Sequence, residues 1–279
     1  MKIKKLISAL VLSSMLVGLS GCNITDFSAE NLLRPPKAVG DEAEIEQLIA
    51  KTADSGYTLK YPKNGKFRSA IIMTDLDGND SNEAVAFFRN SAETSSVHML
   101  VMYSKDNSWE IASDNIFETT DIDSVDFADL TGNGKAEIIV NSTTYTPNVG
   151  KLSCYSYSEG KTNEVGSGQS CSSFVTGDFD NDGTSEIMSL VLYTTENEAL
   201  ASMLDYNEDS KSLYAKAMAN MDPNVVKYKN IAVTKLDNDI TGIVVDGTSA
   251  NEVTNTQVIF TAVTLQFCVI LFLKKKQKI

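Results

Sequence analysis

A ten-residue acidic loop occurs three times in this chain at nearly even spacing, and that recurrence limits the fold more than any other feature. The best-preserved copy spans residues 178–187. It places side-chain oxygens of Asp178, Asp180, Asp182 and Glu186 at positions 1, 3, 5 and 9, with Gly183 at position 6. Residues 75–84 repeat it with Asp75, Asp77, Asn79 and Glu83 at the oxygen positions and Asp80 in place of the glycine. Residues 129–138 keep Asp129, Asn133 and Glu137 but carry Thr131 at position 3. Hard cations such as calcium take six to eight oxygen ligands, so a loop that presents alternate oxygens can wrap one. The competing reading is a set of Asx-type turns that join strands without metal.

The first aspartates lie 54 and 49 residues apart. Between them run short segments rich in β-formers, separated by polar turns. Strands are predicted over 69–74, 83–89, 97–103, 109–113, 122–127, 137–141, 151–157, 164–169, 173–176, 186–193, 199–206 and 213–219. A fourth, damaged copy over 231–244 has Lys235 where the first acid belongs and Ile243 at position 9, so it is expected to bind no cation. A period near 50 with about four strands per repeat is the signature of propeller blades.

The three loops resemble the FG-GAP or VCBS repeats, the calcium-loop blades of integrin-type β-propellers. The resemblance rests on the Asp-x-Asp-x-Asp/Asn-Gly-x-x-Asp/Glu-Leu/Ile pattern and covers roughly residues 65–250. It implies an all-β, propeller-like array of three to four four-stranded blades, with each loop joining the first two strands of its blade. It also implies structural calcium, with backbone carbonyls of Ser81 and Thr184 at position 7 joining the side-chain ligands. Family propellers close with more blades than this chain holds. A small or open ring, assembly with a second copy, and a truncated chain are all compatible with the sequence.

Lys2, Lys4 and Lys5 precede an apolar stretch, the pattern of a secretory signal over 1–21. The signal ends in Leu19-Ser20-Gly21-Cys22, which resembles the bacterial lipobox and implies a lipidated Cys22 as the first mature residue. Residues 22–40, with Pro35-Pro36, read as a tether. Residues 41–56 read as a short helix with Asp41 as its cap and Ile45, Leu48 and Ile49 as an apolar stripe. The repeats fill 57–250. The tail, 251–279, is apolar over 258–273 and ends in a lysine cluster. It is compatible with a marginal membrane span, a strand pair of an incomplete blade, or the out-of-frame end of a longer gene.

The net charge of -13 argues against nucleic acid as a partner. The single histidine, His98, excludes multi-histidine metal sites and is expected to be structural. Cys154 and Cys171 flank a hairpin in an exported body, which leaves a disulfide open beside two free core thiols. These features point to a non-enzymatic lipoprotein, held to the membrane of a bacterial envelope, whose blades serve as a binding or scaffold module for a protein or glycan. A hydrolase-associated envelope enzyme and a truncated remnant are the alternatives.

Overall fold

The computed structural model describes residues 40–53, 56–237, 240–250, 254–262 and 265–273. The signal peptide, Cys22, most of the tether and the terminal lysines lie outside them. The chain divides into two compact units, residues 1–43 and 44–279. Of the first only residues 40–43 are described, and apart from the start of the helix at Asp41 all that follows concerns the second.

Helix α1 (Asp41–Ala53) is followed by seventeen strands: β1 (Tyr57–Leu59), β2 (Ile71–Thr74), β3 (Glu83–Asn90), β4 (Val97–Lys105), β5 (Ser108–Phe117), β6 (Ile122–Ala128), β7 (Glu137–Thr143), β8 (Gly150–Ser158), β9 (Lys161–Cys171), β10 (Ser173–Gly177), β11 (Glu186–Tyr193), β12 (Glu198–Asn207), β13 (Ser212–Asn220), β14 (Val225–Asp237), β15 (Ile240–Ser249), β16 (Thr254–Ala262) and β17 (Leu265–Leu273). They form four antiparallel sheets, each taken from consecutive strands. Sheets two to four are β6–β9, β10–β13 and β14–β17 in simple order. The described residues are therefore all-β with one short helix. Every strand expected between residues 69 and 219 is present within a few residues of its expected ends.

The first sheet departs from that regularity. Both β1 and β2 pair with β3, Leu59 opposite Phe88 and Ile71 opposite Ala86. One strand position is thus shared by two short strands with residues 60–70 looped out between them. Lys60 N donates to Phe87 O, and Phe87 N donates to Ala70 O, so both ends of the excursion are pinned to one residue.

The sheets pack face to face in series, and strand periodicity explains how. In β3, Val85 and Phe87 face the second sheet's Ile122, Val125 and Val140. Ala84, Ala86 and Phe88 face the other way, against Ile45, Ile49 and Ala53 of α1 and Trp109. The stripe at helical spacing thus covers the outer face of the first sheet. Ile139, Leu152 and Cys154 meet Ile187, Leu204 and Leu213 between the second and third sheets. Met188, Leu190 and Met203 meet Tyr228, Ile243 and Val245 between the third and fourth. Strands buried on both faces read as unbroken apolar runs, which is why Glu83–Phe88, Glu137–Ser142 and Glu186–Leu192 are buried throughout. First strands of successive sheets neighbour one another (β6 with β10, β10 with β14), as do last strands (β5 with β9, β9 with β13, β13 with β17).

Of the readings left open for the apolar tail, the structure has the strand pair: residues 254–262 and 265–273 are the third and fourth strands of the last sheet, with Ile243 opposite Ile259 and Ile259 opposite Ile270. Among the described residues no helix is long and apolar enough to cross a membrane. Cys154 and Cys171 are free, buried thiols. Cys171 lies opposite Gly150, four residues along β8 from Cys154. At about 3.3 Å per residue that offset exceeds the separation of roughly 7 Å that a disulfide tolerates between Cα atoms. Burial raises both thiols, Cys171 up to about 12.

Candidate metal centres

The three acidic loops join the first and second strands of their sheets: β2 to β3, β6 to β7 and β10 to β11. Each is anchored by the same device. Its glutamate opens the second strand, opposite the last residue of the first: Thr74 faces Glu83, Ala128 faces Glu137, and Gly177 faces Glu186. All three glutamates are buried. Their Oε2 atoms accept the N–H of Leu76, Leu130 and Phe179 at 2.8, 2.8 and 2.7 Å. Those three side chains are themselves buried, so an apolar anchor and a carboxylate clamp share one residue.

The turn is repeated as well. Position 5 accepts the N–H of position 7: Ser81 to Asn79 Oδ1 at 2.7 Å, Lys135 to Asn133 Oδ1 at 2.9 Å, and Thr184 to Asp182 Oδ1 at 2.8 Å. The position-1 aspartate gathers N–H groups from across its loop. Asp75 accepts from Gly78, Asn79 and Asp80, Asp129 from Asn133 and Gly134, and Asp178 from Gly183. Position 6 is left-handed in all three, with φ of 65° at Asp80, 79° at Gly134 and 94° at Gly183. Neighbouring loops are bonded to each other, Ala136 N to Leu76 O at 3.0 Å and Ser185 N to Asp129 O at 2.8 Å.

What distinguishes the loops is the state of the remaining carboxylate oxygens. Asp178, Asp180, Asp182 and Glu186 bring one oxygen each within 4.8 Å of one another, and Asp75, Asp77 and Glu83 do the same. Either group could hold a metal ion. Asp77 Oδ1, Asp178 Oδ1 and Glu186 Oε1 are buried and have no hydrogen-bond partner. Buried carboxylate oxygens without donors are costly, and a cation within each group would satisfy those of its own loop.

The second loop solves the same problem differently. Thr131 Oγ1 donates to Glu137 Oε1 at 3.2 Å, which satisfies the oxygen left bare on Glu186. Asp129 is engaged with backbone and Asn133 Oδ1 with Lys135 N. Of the expected ligand set Asp129, Asn133 and Glu137, two are carboxylates, and Glu137 already has a donor for the oxygen that Glu186 leaves bare, supplied by the residue that stands where the other loops carry Asp77 and Asp180. In the fourth sheet β14 runs to Asp237 and β15 resumes at Ile240, which leaves two residues for a loop. Lys235 Nζ reaches across to Asn181 Oδ1 at 3.4 Å.

Electrostatics follow from burial. Glu186 is pushed up to about 8 by burial, with Asp180, Asp182 and Asp205 adding to it. Burial likewise raises Glu83, reinforced by Asp77 and Asp75, and burial also raises Glu137. Desolvation works against the ionised forms of Asp75 and Asp182 too. It is outweighed by N–H groups of Asp80, Gly78 and Asn79 at the first, and by the hydroxyl and N–H of Thr184 at the second, so both sit below the usual carboxylate range. Lys216, on β13, donates to Asp180 and to Asp205. The two carboxylates overcome desolvation and raise its pKa. Its place beside the third loop is a tertiary fact, since neither Lys216 nor Asp205 belongs to the repeat.

No family model matches the sequence, and a search of curated proteins returns no match. Among solved structures, the chain is similar to a hypothetical protein from Leishmania major, with 9% identity, a TM-score of 0.37, and coverage of 83% of this chain and 78% of that one.

Proposed function

We propose that this protein is a non-enzymatic, lipid-anchored module of a bacterial envelope, built as a propeller-like array of blades of the FG-GAP or VCBS kind and stiffened by calcium. The observation that carries the reading is the set of buried, donor-less carboxylate oxygens in two of three equivalent loops. Their absence from the loop that owns a compensating threonine hydroxyl supports it further. Calcium is favoured because all the donors are oxygens, the hardest set a protein offers. Asp178, Asp180, Asp182 and Glu186 would hold one ion, and Asp75, Asp77 and Glu83 with Asn79 a second. The role is structural: an ion at each loop joins the two first strands of a blade, and each loop is bonded to the next.

The chain's one histidine supports a non-enzymatic reading. His98 is 6% exposed, its Nδ1 lies 2.9 Å from Asp114 and its Nε2 3.2 Å from Glu93, so neither nitrogen is free to activate a nucleophile. Radiolabelled palmitate fed to cells is expected to enter the wild-type protein and not the Cys22→Ala variant. Calcium is expected to raise the melting temperature of the same protein and EDTA to lower it. Unlabelled wild type removes the anchor from the account, and turnover of ester or glycoside substrates overturns the non-enzymatic reading.

A further inference from the structure

The looped-out residues 60–70 line a cavity of about 850 Å³ together with the β7–β8 turn and β14. Five cations line it: Lys63, Lys66 and Arg68 from the excursion, and Lys227 and Lys229 from β14. One carboxylate, Asp123, lines it with them. In a chain of net charge -13 this is a concentrated reversal of sign. The one acid is already occupied, accepting from Asn64 Nδ2 at 2.8 Å, Ser124 Oγ at 3.0 Å and Asn141 Nδ2 at 3.4 Å. Lys63 and Lys66 pair with Asp121 and Asp126. Arg68, Lys227 and Lys229 pair with no carboxylate among the described residues.

The wall is fixed in place. Lys63 N and Asn64 N donate to the carbonyls of Ile122 and Asp123 on β6, at 3.2 and 2.7 Å, and Asn148 Nδ2 donates to Val226 O at 3.2 Å. Asn141, on the cavity lining, is 1% exposed, and its Oδ1 has no hydrogen-bond partner. Gly150, also lining, leaves that oxygen room, since a Cβ there would lie 2.3 Å from it. Thr146, Ser173 and Asn230 add polar side chains that make no hydrogen bond among the described residues.

We infer that this cavity binds a small anionic carbohydrate, a sugar that bears a carboxylate or phosphate. Cations draw in its charge, the free side chains of Thr146, Ser173 and Asn230 take its hydroxyls, and the volume is that of an ordinary small-molecule site. Small size follows from the acidic remainder of the surface. Within a Debye length of about 8 Å the local cations dominate, whereas a long polyanion or an anionic bilayer would meet repulsion beyond the cavity. The inference rests on the reading of the protein as a binding module and is independent of calcium.

The test is isothermal titration of the full-length protein in neutral detergent with trigalacturonic acid, maltotriose and inorganic phosphate as probes, alongside the Lys227→Glu/Lys229→Glu variant. The acidic trisaccharide is expected to bind at least tenfold more tightly than maltotriose or phosphate, to weaken as salt is raised, and to lose at least tenfold in the variant. A cooperative melt of the variant at the wild-type temperature, with the wild-type circular-dichroism spectrum, certifies its fold. Equal binding of the neutral sugar, equal binding of phosphate alone, no binding of any probe, or binding unchanged in the variant each overturns the inference. Sugar binding without any calcium response would fail the calcium reading and leave this one standing.

Discussion

Glu186 makes the calcium reading quantitative. In the metal-free protein its pKa stands at about 8 against an ordinary 4.5, and at about 1.4 kcal/mol per unit the ionised form costs the fold on the order of 5 kcal/mol. Because the folded value lies above the unfolded one, the folded state holds this proton more tightly. Metal-free stability therefore falls as pH climbs from about 4.5 to about 8 and levels off beyond. Glu83, raised by burial, contributes in the same direction. Asp75 and Asp182, held low, are ionised across this window and add no slope. A bound cation needs Glu186 ionised and removes the penalty, so binding releases its proton. Calcium affinity is then expected to rise about tenfold per pH unit below pH 8. The assay is urea unfolding with millimolar calcium and with EDTA, at steps from about pH 5 to about pH 8. The gap between the two curves should widen by several kcal/mol with pH in wild type. In Glu186→Gln, which mimics the neutral acid, the slope should shrink to the smaller part that Glu83 and Glu137 supply. A gap that does not change with pH, or a Gln variant that keeps the wild-type slope, refutes the reasoning.

Three further expectations test the repeat device and its packing. Thr131→Asp removes the hydroxyl that satisfies Glu137 and supplies a third carboxylate, so it should create an additional calcium site, seen as one more ion in native mass spectra. Asp80→Gly relieves a left-handed residue at φ 65° and should stabilise the calcium-loaded protein by about 1 kcal/mol in urea melts. Ile49→Ala, at a fully buried position between α1 and the first sheet, should cost about 2–5 kcal/mol in the same assay.

The strands of the first three sheets, β1 apart, were legible because each run of β-formers is bounded by polar turns, and the loops because their oxygens keep fixed spacing. The fourth sheet was legible only in its damaged copy over 231–244. Its last two strands, 254–262 and 265–273, form an apolar stretch with little internal punctuation. A buried strand and a short membrane segment share that pattern. The second loop looked like a weakened metal site because Thr131 reads as a poor ligand. Only the fold shows it as a donor to Glu137. The split first strand, and with it the basic excursion of residues 60–70, is set by pairing of both β1 and β2 to β3, which no local propensity encodes. Lys216 reaches Asp180 from 36 positions away, beyond any motif.

The most direct measurement of the central claim is the number of calcium ions held per chain, counted by native mass spectrometry. The account expects two in wild type, one in Asp178→Asn/Asp182→Asn, and one in Asp75→Asn/Asp77→Asn. A wild-type protein that holds none, or a pair of variants that both keep two, contradicts it.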